Sequence, residues 1–138
     1  MEQKDYFLRY IEQLGKVMAV LMGLRDKGEA GKMLEVINEA YIDLLKFDSE
    51  YLKALSENEL LEILIDKKDL VREQLEVAAE LLLEEANIHY GKNNIKECKS
   101  MYKKSLILFI YIHDMDRTFS FERIDKMERI KSILKDLK

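Results

Sequence analysis

The chain has 138 residues, 48% hydrophobic and 36% charged, with a formal net charge of −4, a length that gives one domain burying roughly two thirds of its unfolded surface and a composition far from that of disorder. It contains no proline, no tryptophan and only five glycines, which excludes a sheet protein rich in tight turns and points to an all-α fold. The charge is unevenly spread, net −2 over residues 1–56, −7 over 57–85 and +5 over 86–138, so the acidic centre and the basic C-terminal third are expected to pair within the fold or to stay solvated.

The N-terminal MEQKDYFLRY lacks the basic, then apolar, layout of a leader, which implies a cytoplasmic setting. From Asp5 to about Arg25, Phe7, Ile11, Leu14, Met18 and Leu21 recur at helical spacing, with Tyr10, Val17 and Leu24 widening the stripe. Gly28 and Gly31 suit a turn, after which Leu34, Ile37, Tyr41 and Leu44 define a second helix to about Lys46. Ser49 is placed to cap a short turn through YLKAL. Ser56 with Glu59 fits a capping box opening ENELLEILI, and DKKD at 66–69 reads as a break.

From Leu70 to about Tyr90 the stripe Leu75, Ala78, Leu82, Ala86 and His89 predicts a third long helix, stopped by GKNN at 91–94. Asn94 with Glu97 fits a second capping arrangement. Ile95, Cys98, Tyr102, Ser105, Phe109 and Ile112 then carry a helix to about His113. Its apolar run, Leu106 to Ile112, falls far short of the roughly 20 residues of a membrane span, so no membrane insertion is expected. Phe121, Ile124, Met127, Ile130, Leu134 and Leu137 trace a terminal helix over about 119–137, with Lys131, Lys135 and Lys138 complementing its dipole.

Placing Gly28 against Asn93 gives an internal repeat offset by 65 residues, in which Ile37, Ala40 and Leu44 face Tyr102, Ser105 and Phe109. The second copy, LLLEEANIHYGKNNIKECKSMYKKSLIL, resembles the tetratricopeptide repeat, in which small residues let paired antiparallel helices approach and aromatics fill the gaps. On that resemblance Ala86, Cys98 and Ser105 are the small positions and Tyr102 the aromatic. Leu82 stands where the family carries tryptophan, Ala86 where it carries glycine, and the closing proline is missing. The resemblance implies a single domain, residues 1–138, of degenerate hairpins at about 14–47 and 79–112, an insert at 48–78 and a C-terminal capping helix. It also implies a non-catalytic protein-interaction module whose inner helices present Met22, Arg25, Glu80, Leu83, Glu84, Asn87 and Tyr90 to a peptide. Asn87 matches the family's peptide-holding asparagine, whereas Leu83 occupies the place of a carboxylate-binding lysine. The whole chain is also similar to a family of bacterial proteins of the Firmicutes type that opens with a DYxLRxIEQL-like segment, here DYFLRYIEQL at 5–14; that likeness implies the helical fold and no particular activity.

Chemistry has little foothold. His89 with the pair His113 and Asp114 is the pattern of HD-type helical metal phosphohydrolases, yet a stripe position explains His89 and a helix end explains His113. Glu85 and His89 stand four apart, one residue too far for the Glu-x-x-His pair of a di-iron bundle. Cys98 has no CxxC partner and reads as a buried thiol. Lys92, Lys96, Lys99 and Lys103 share one face, with Lys104 adjacent, and the terminal helix adds Arg123, Lys126, Arg129 and Lys131, but the negative total charge and the interleaved Glu97, Glu122, Asp125 and Glu128 argue for a solubilising surface over a nucleic-acid one. The expected partner is another protein or, in a structural-dimer alternative, a second copy of the chain, with no metal, cofactor or small-molecule ligand.

Overall fold

The computed structural model describes residues 2–137. The elements are α1 (Glu2–Asp26), α2 (Ala30–Leu45), α3 (Ser49–Ala54), α4 (Leu60–Glu62) running into a π-helical turn (Ile63–Lys67), α5 (Arg72–Gly91), α6 (Ile95–Met115) and α7 (Phe121–Asp136). The expected helices are all present. Lys138, expected to complement the dipole of α7, lies outside the described residues.

The two main turns close with the same pair of hydrogen bonds at the 65-residue offset. In the first, Gly28 sits at φ +70° while its N–H bonds Arg25 O at 3.0 Å and the N–H of Glu29 bonds Leu24 O at 3.0 Å. In the second, Asn93 sits at φ +63°, its N–H bonds Tyr90 O at 3.1 Å and the N–H of Asn94 bonds His89 O at 2.9 Å. Each is a Schellman ending, which needs one left-handed residue after the helix; glycine and asparagine are the two that adopt it readily. The following helices also start alike, Met33 bonding Glu29 O and Cys98 bonding Asn94 O.

Helix α5 is the centre of the molecule. Leu75, Ala78, Leu82, Ala86 and His89 are buried as the stripe predicts, but so are Val77, Ala79, Leu81, Glu84, Glu85 and Ile88. It therefore meets neighbours on nearly every side: α6 most closely, then α2 and α1. The small residues make this possible. Ser105 is fully buried and its hydroxyl donates to Ala79 O at 2.8 Å, a bond between α6 and α5 that only a short side chain permits. Tyr102 and Phe109 fill the spaces beside it. Cys98 is fully buried, its thiol bonds Ile95 O at 3.3 Å, and burial pushes its pKa up, as befits an inert thiol.

Two capping expectations need correction, and a third holds only at the start of its helix. The cap of α3 is Asp48, whose carboxylate accepts from Tyr51 N at 3.0 Å, because the Ser49 hydroxyl is drawn inward to Glu85 instead. Asn94 makes no side-chain cap on α6; its amide faces His89 Nδ1 at 3.2 Å, and Glu97 lies on the same histidine nitrogen at 3.4 Å. The Ser56–Glu59 arrangement does form, with the hydroxyl bonded to the carboxylate at 3.0 Å. The helix it opens soon widens, however, so that Lys68 N reaches Ile63 O and Leu70 N reaches Leu64 O. Widening the turn lets Leu60, Leu64 and Leu70 all enter the core.

The α6–α7 loop is tied to the start of α5 by Asp116. Its carboxylate accepts from Arg72 Nε at 3.0 Å and Arg72 NH2 at 2.6 Å, a two-pronged pair, and from Arg123 at 3.2 Å. The Arg72 hydrogen bonds hold the Asp116 carboxyl below the usual carboxylate range. A folded-state pKa below the unfolded one stabilises fully above the unfolded value and fades as pH falls through the folded one. Asp116→Asn is therefore expected to lower the urea midpoint at neutral pH, the gap to wild type closing as pH drops below about 4. A gap that is constant with pH would show that the charge of Asp116 contributes nothing.

Candidate functional site

The face shared by α1, α5 and α7 is an open furrow. Its middle is a cleft of about 340 Å³ lined by Met18 and Arg25 of α1, by Glu80, Leu83, Glu84 and Asn87 of α5, and by Lys126, Arg129, Ile130 and Ile133 of α7. A second hollow of about 370 Å³ continues it toward Ile11, Glu76 and Arg123, sharing Met18, Glu80 and Lys126. A third, of about 360 Å³, continues it the other way toward the α1–α2 turn, sharing Arg25, Glu84 and Asn87. The three helices contribute residues in the same chain order along the furrow, so they run in the same direction.

Two ionic cross-bars span it. Lys126 reaches from α7 to Glu80 of α5 at 2.5 Å, with Glu122 at 3.2 Å on its other side. Arg25 reaches from α1 to Glu84 of α5. Burial lifts the Glu80 carboxyl above its ordinary value against the opposing pull of Lys126. Burial alone would lower the Lys126 ammonium, but the hydrogen bonds and charges of Glu80 and Glu122 raise it. These pairs join the acidic centre of the chain to its two flanks, so part of the segregated charge is neutralised internally.

Five of the residues expected on a binding surface, Arg25, Glu80, Leu83, Glu84 and Asn87, converge in this furrow. Met22 and Tyr90 do not. Met22 is exposed without lining the cleft, and Tyr90 turns its ring edge-on to Tyr102 at 6.3 Å. The Tyr102 hydroxyl donates to Asn87 Oδ1 at 2.6 Å, which orients the asparagine amide and leaves its NH₂ without a hydrogen bond among the described residues. Burial pushes the Tyr102 hydroxyl up to about 12, so it stays protonated as that donor. Arg129 lines the same cleft with no carboxylate within 4.0 Å among the described residues. Comparison of the chain with protein-family models, with curated proteins and with solved structures finds no match.

The histidines are kept apart. His89 stands beside the N-terminal turn of α6 and His113 near the end of the same helix, sixteen residues beyond Glu97, or roughly 24 Å of helix rise. His89 and the His113–Asp114 pair are thus not brought into one ligand set, and no group of three or more His, Cys, Asp or Glu among the described residues could hold a metal ion. No helix is long and apolar enough to cross a membrane among the described residues.

Two buried charges were not legible in the chain. Lys104, grouped by sequence with Lys92, Lys96, Lys99 and Lys103, is 3% exposed and donates to Leu52 O at 2.9 Å and Lys53 O at 3.0 Å, capping the end of α3. Glu85 is equally enclosed, with both carboxylate oxygens within 3.0 Å of the Ser49 hydroxyl. Both partners come from the insert, whose docking position no periodicity encodes.

Proposed function

We propose that the chain is a protein-interaction module whose α1–α5–α7 furrow, the concave side of a short tetratricopeptide-like stack capped by α7, receives an extended peptide segment. The observation that carries this reading is the convergence on one furrow of an oriented, unspent Asn87 amide and an uncompensated Arg129 guanidinium. An amide of that kind suits a peptide backbone, and the guanidinium suits an acidic side chain next to it. The apolar walls from Met18, Leu83, Ile130 and Ile133 supply non-directional contact between them.

A photo-crosslinking residue placed at Arg129 is expected to capture a discrete partner from cell extract, while the same residue at Lys99 on α6 captures none. Asn87→Ala should reduce that capture roughly tenfold, the value of one hydrogen bond within the furrow. Equal capture from both positions, or capture indifferent to Asn87→Ala, rejects the furrow.

The alternative partner, a second copy of the chain, is favoured by one other observation. Phe119 and Phe121 are 67% and 77% exposed and pack edge-to-face at 4.8 Å at the start of α7. Such an exposed aromatic pair is the kind that self-association covers. Sedimentation equilibrium separates the readings: a monomer favours the furrow, and a dimer moves the interface to the aromatic pair.

A further inference from the structure

We propose that the cleft between α3, α5 and α6 is a binding site for a small phosphate-bearing ligand, with Lys53, Lys96 and Lys104 as its donors. The cleft measures about 380 Å³ and lies against Leu82, two residues from both Glu80 and Glu84 and so about 200° around α5 from the furrow. It is a separate site, and it departs from the sequence-based expectation of no small-molecule ligand.

Lys104 forms its floor. Two of the three ammonium N–H groups are committed to Leu52 O and Lys53 O, leaving one donor for the cleft it lines. No carboxylate among the described residues lies within 4.0 Å of its Nζ, although the side chain is buried. An enclosed cation without a counter-charge is costly to maintain, and the cost falls when an anion arrives. Burial accordingly pushes the Lys104 ammonium below the ordinary lysine value, with Glu57 and Glu59 pulling it back only through space.

The rest of the lining fits the same ligand. Lys96 stands in the first turn of α6 with no ion-pair partner among the described residues, where the helix N-terminus adds positive potential. Lys53 holds only long pairs, 3.5 Å to exposed Glu50 and 3.8 Å to Glu85. The Ser100 hydroxyl also lines the cleft with no hydrogen bond among the described residues. The one acidic residue in the lining, Glu97, is 3.4 Å from His89 Nδ1. Three ammonium groups from two helices suit a dianion with three terminal oxygens better than a planar carboxylate, for which a guanidinium fork is the usual match. Leu82 and Met101 offer an apolar wall for the carbon part of a phosphate monoester.

Inorganic phosphate is the probe. Titrated at constant ionic strength against a chloride control, it is expected to bind saturably at one site by calorimetry. Amide shifts in a nitrogen-15-labelled sample should be confined to the end of α3 and the first two turns of α6. Lys96→Ala, an exposed position that leaves the fold intact, should weaken binding roughly tenfold, the loss of one charged hydrogen bond. Lys104→Met should abolish it, and if that variant does not fold, Lys96→Ala and Lys53→Ala decide. Three results would overturn the site: no saturable signal at phosphate concentrations on the order of ten times a millimolar Kd, wild-type affinity in Lys96→Ala, or shifts spread over the Lys92, Lys99 and Lys103 face.

Discussion

Replacing Ser105 by leucine is expected to destabilise the protein by about 3 kcal/mol, most of it steric. Ser105 is fully buried where α6 crosses α5, opposite Ala79, itself fully buried, and the 2.8 Å bond between them fixes how near the helices come. A leucine would have to push α6 outward along the most extensively packed helix pair in the molecule, and it would also delete the hydrogen bond. Overpacking of that size costs roughly 1–3 kcal/mol, and the lost bond adds about 1 kcal/mol. Ser105→Ala isolates the second contribution and should cost only about 1 kcal/mol. Urea denaturation of the three proteins measures both. If leucine proves no worse than alanine, the α5–α6 approach is looser than a small-residue contact, and the proposed tetratricopeptide-like reading fails.

Ser49→Ala is expected to cost about 2–3 kcal/mol, far more than an ordinary surface serine, because it strands a buried carboxylate. Glu85 is enclosed among α2, α3 and α5; the Ser49 hydroxyl lies within 3.0 Å of it, and Lys53 stands at 3.8 Å. The Tyr41 hydroxyl is buried without a geometrically well-formed hydrogen bond among the described residues, yet near enough to Glu85 to feel that charge. Burial first, and Glu85 second, push its pKa well above that of ordinary tyrosine. With the serine gone, the enclosed carboxylate keeps only the distant Lys53 ammonium at 3.8 Å. Adding Glu85→Leu to Ser49→Ala should then restore part of the loss, since a leucine needs no partner. The backbone of Ser49 also donates to Asn38 Oδ1 at 2.9 Å, so the insert keeps one tether in the variant. Faster hydrogen exchange is expected first in α3, ahead of α5. Additive losses in the double variant would show that the serine and the glutamate act independently.

The long helices, the Gly28 and Asn93 turns and the buried stripe of α5 were all readable in the chain, because each follows from contacts between residues three to seven apart or from a single residue's backbone preference. The 65-residue correspondence was readable for the same reason, and both turns close with the same pair of hydrogen bonds. The lining of the furrow was legible in part. Arg25, Glu80, Leu83, Glu84 and Asn87 share the inner faces that the hairpin pattern assigns, whereas Arg129 and Ile133 entered the furrow only through the placement of α7.

What periodicity could not supply was the far partner of each polar group. Ser49 looked like a cap and serves a buried carboxylate; Asn94 looked like a cap and faces a histidine; Lys104 looked like part of a solvated face and closes the end of α3. Their local sequence permits either use, and the choice depends on which burial leaves fewer polar groups unpaired across the whole core. Sequence by itself determined the all-α class, the hairpins and their small-residue seam, since these rest on short-range spacing and side-chain size. The tertiary structure alone decided where the insert docks, which charges are enclosed and which two clefts remain open, because those follow from contacts between residues 30 to 60 positions apart that no local pattern records.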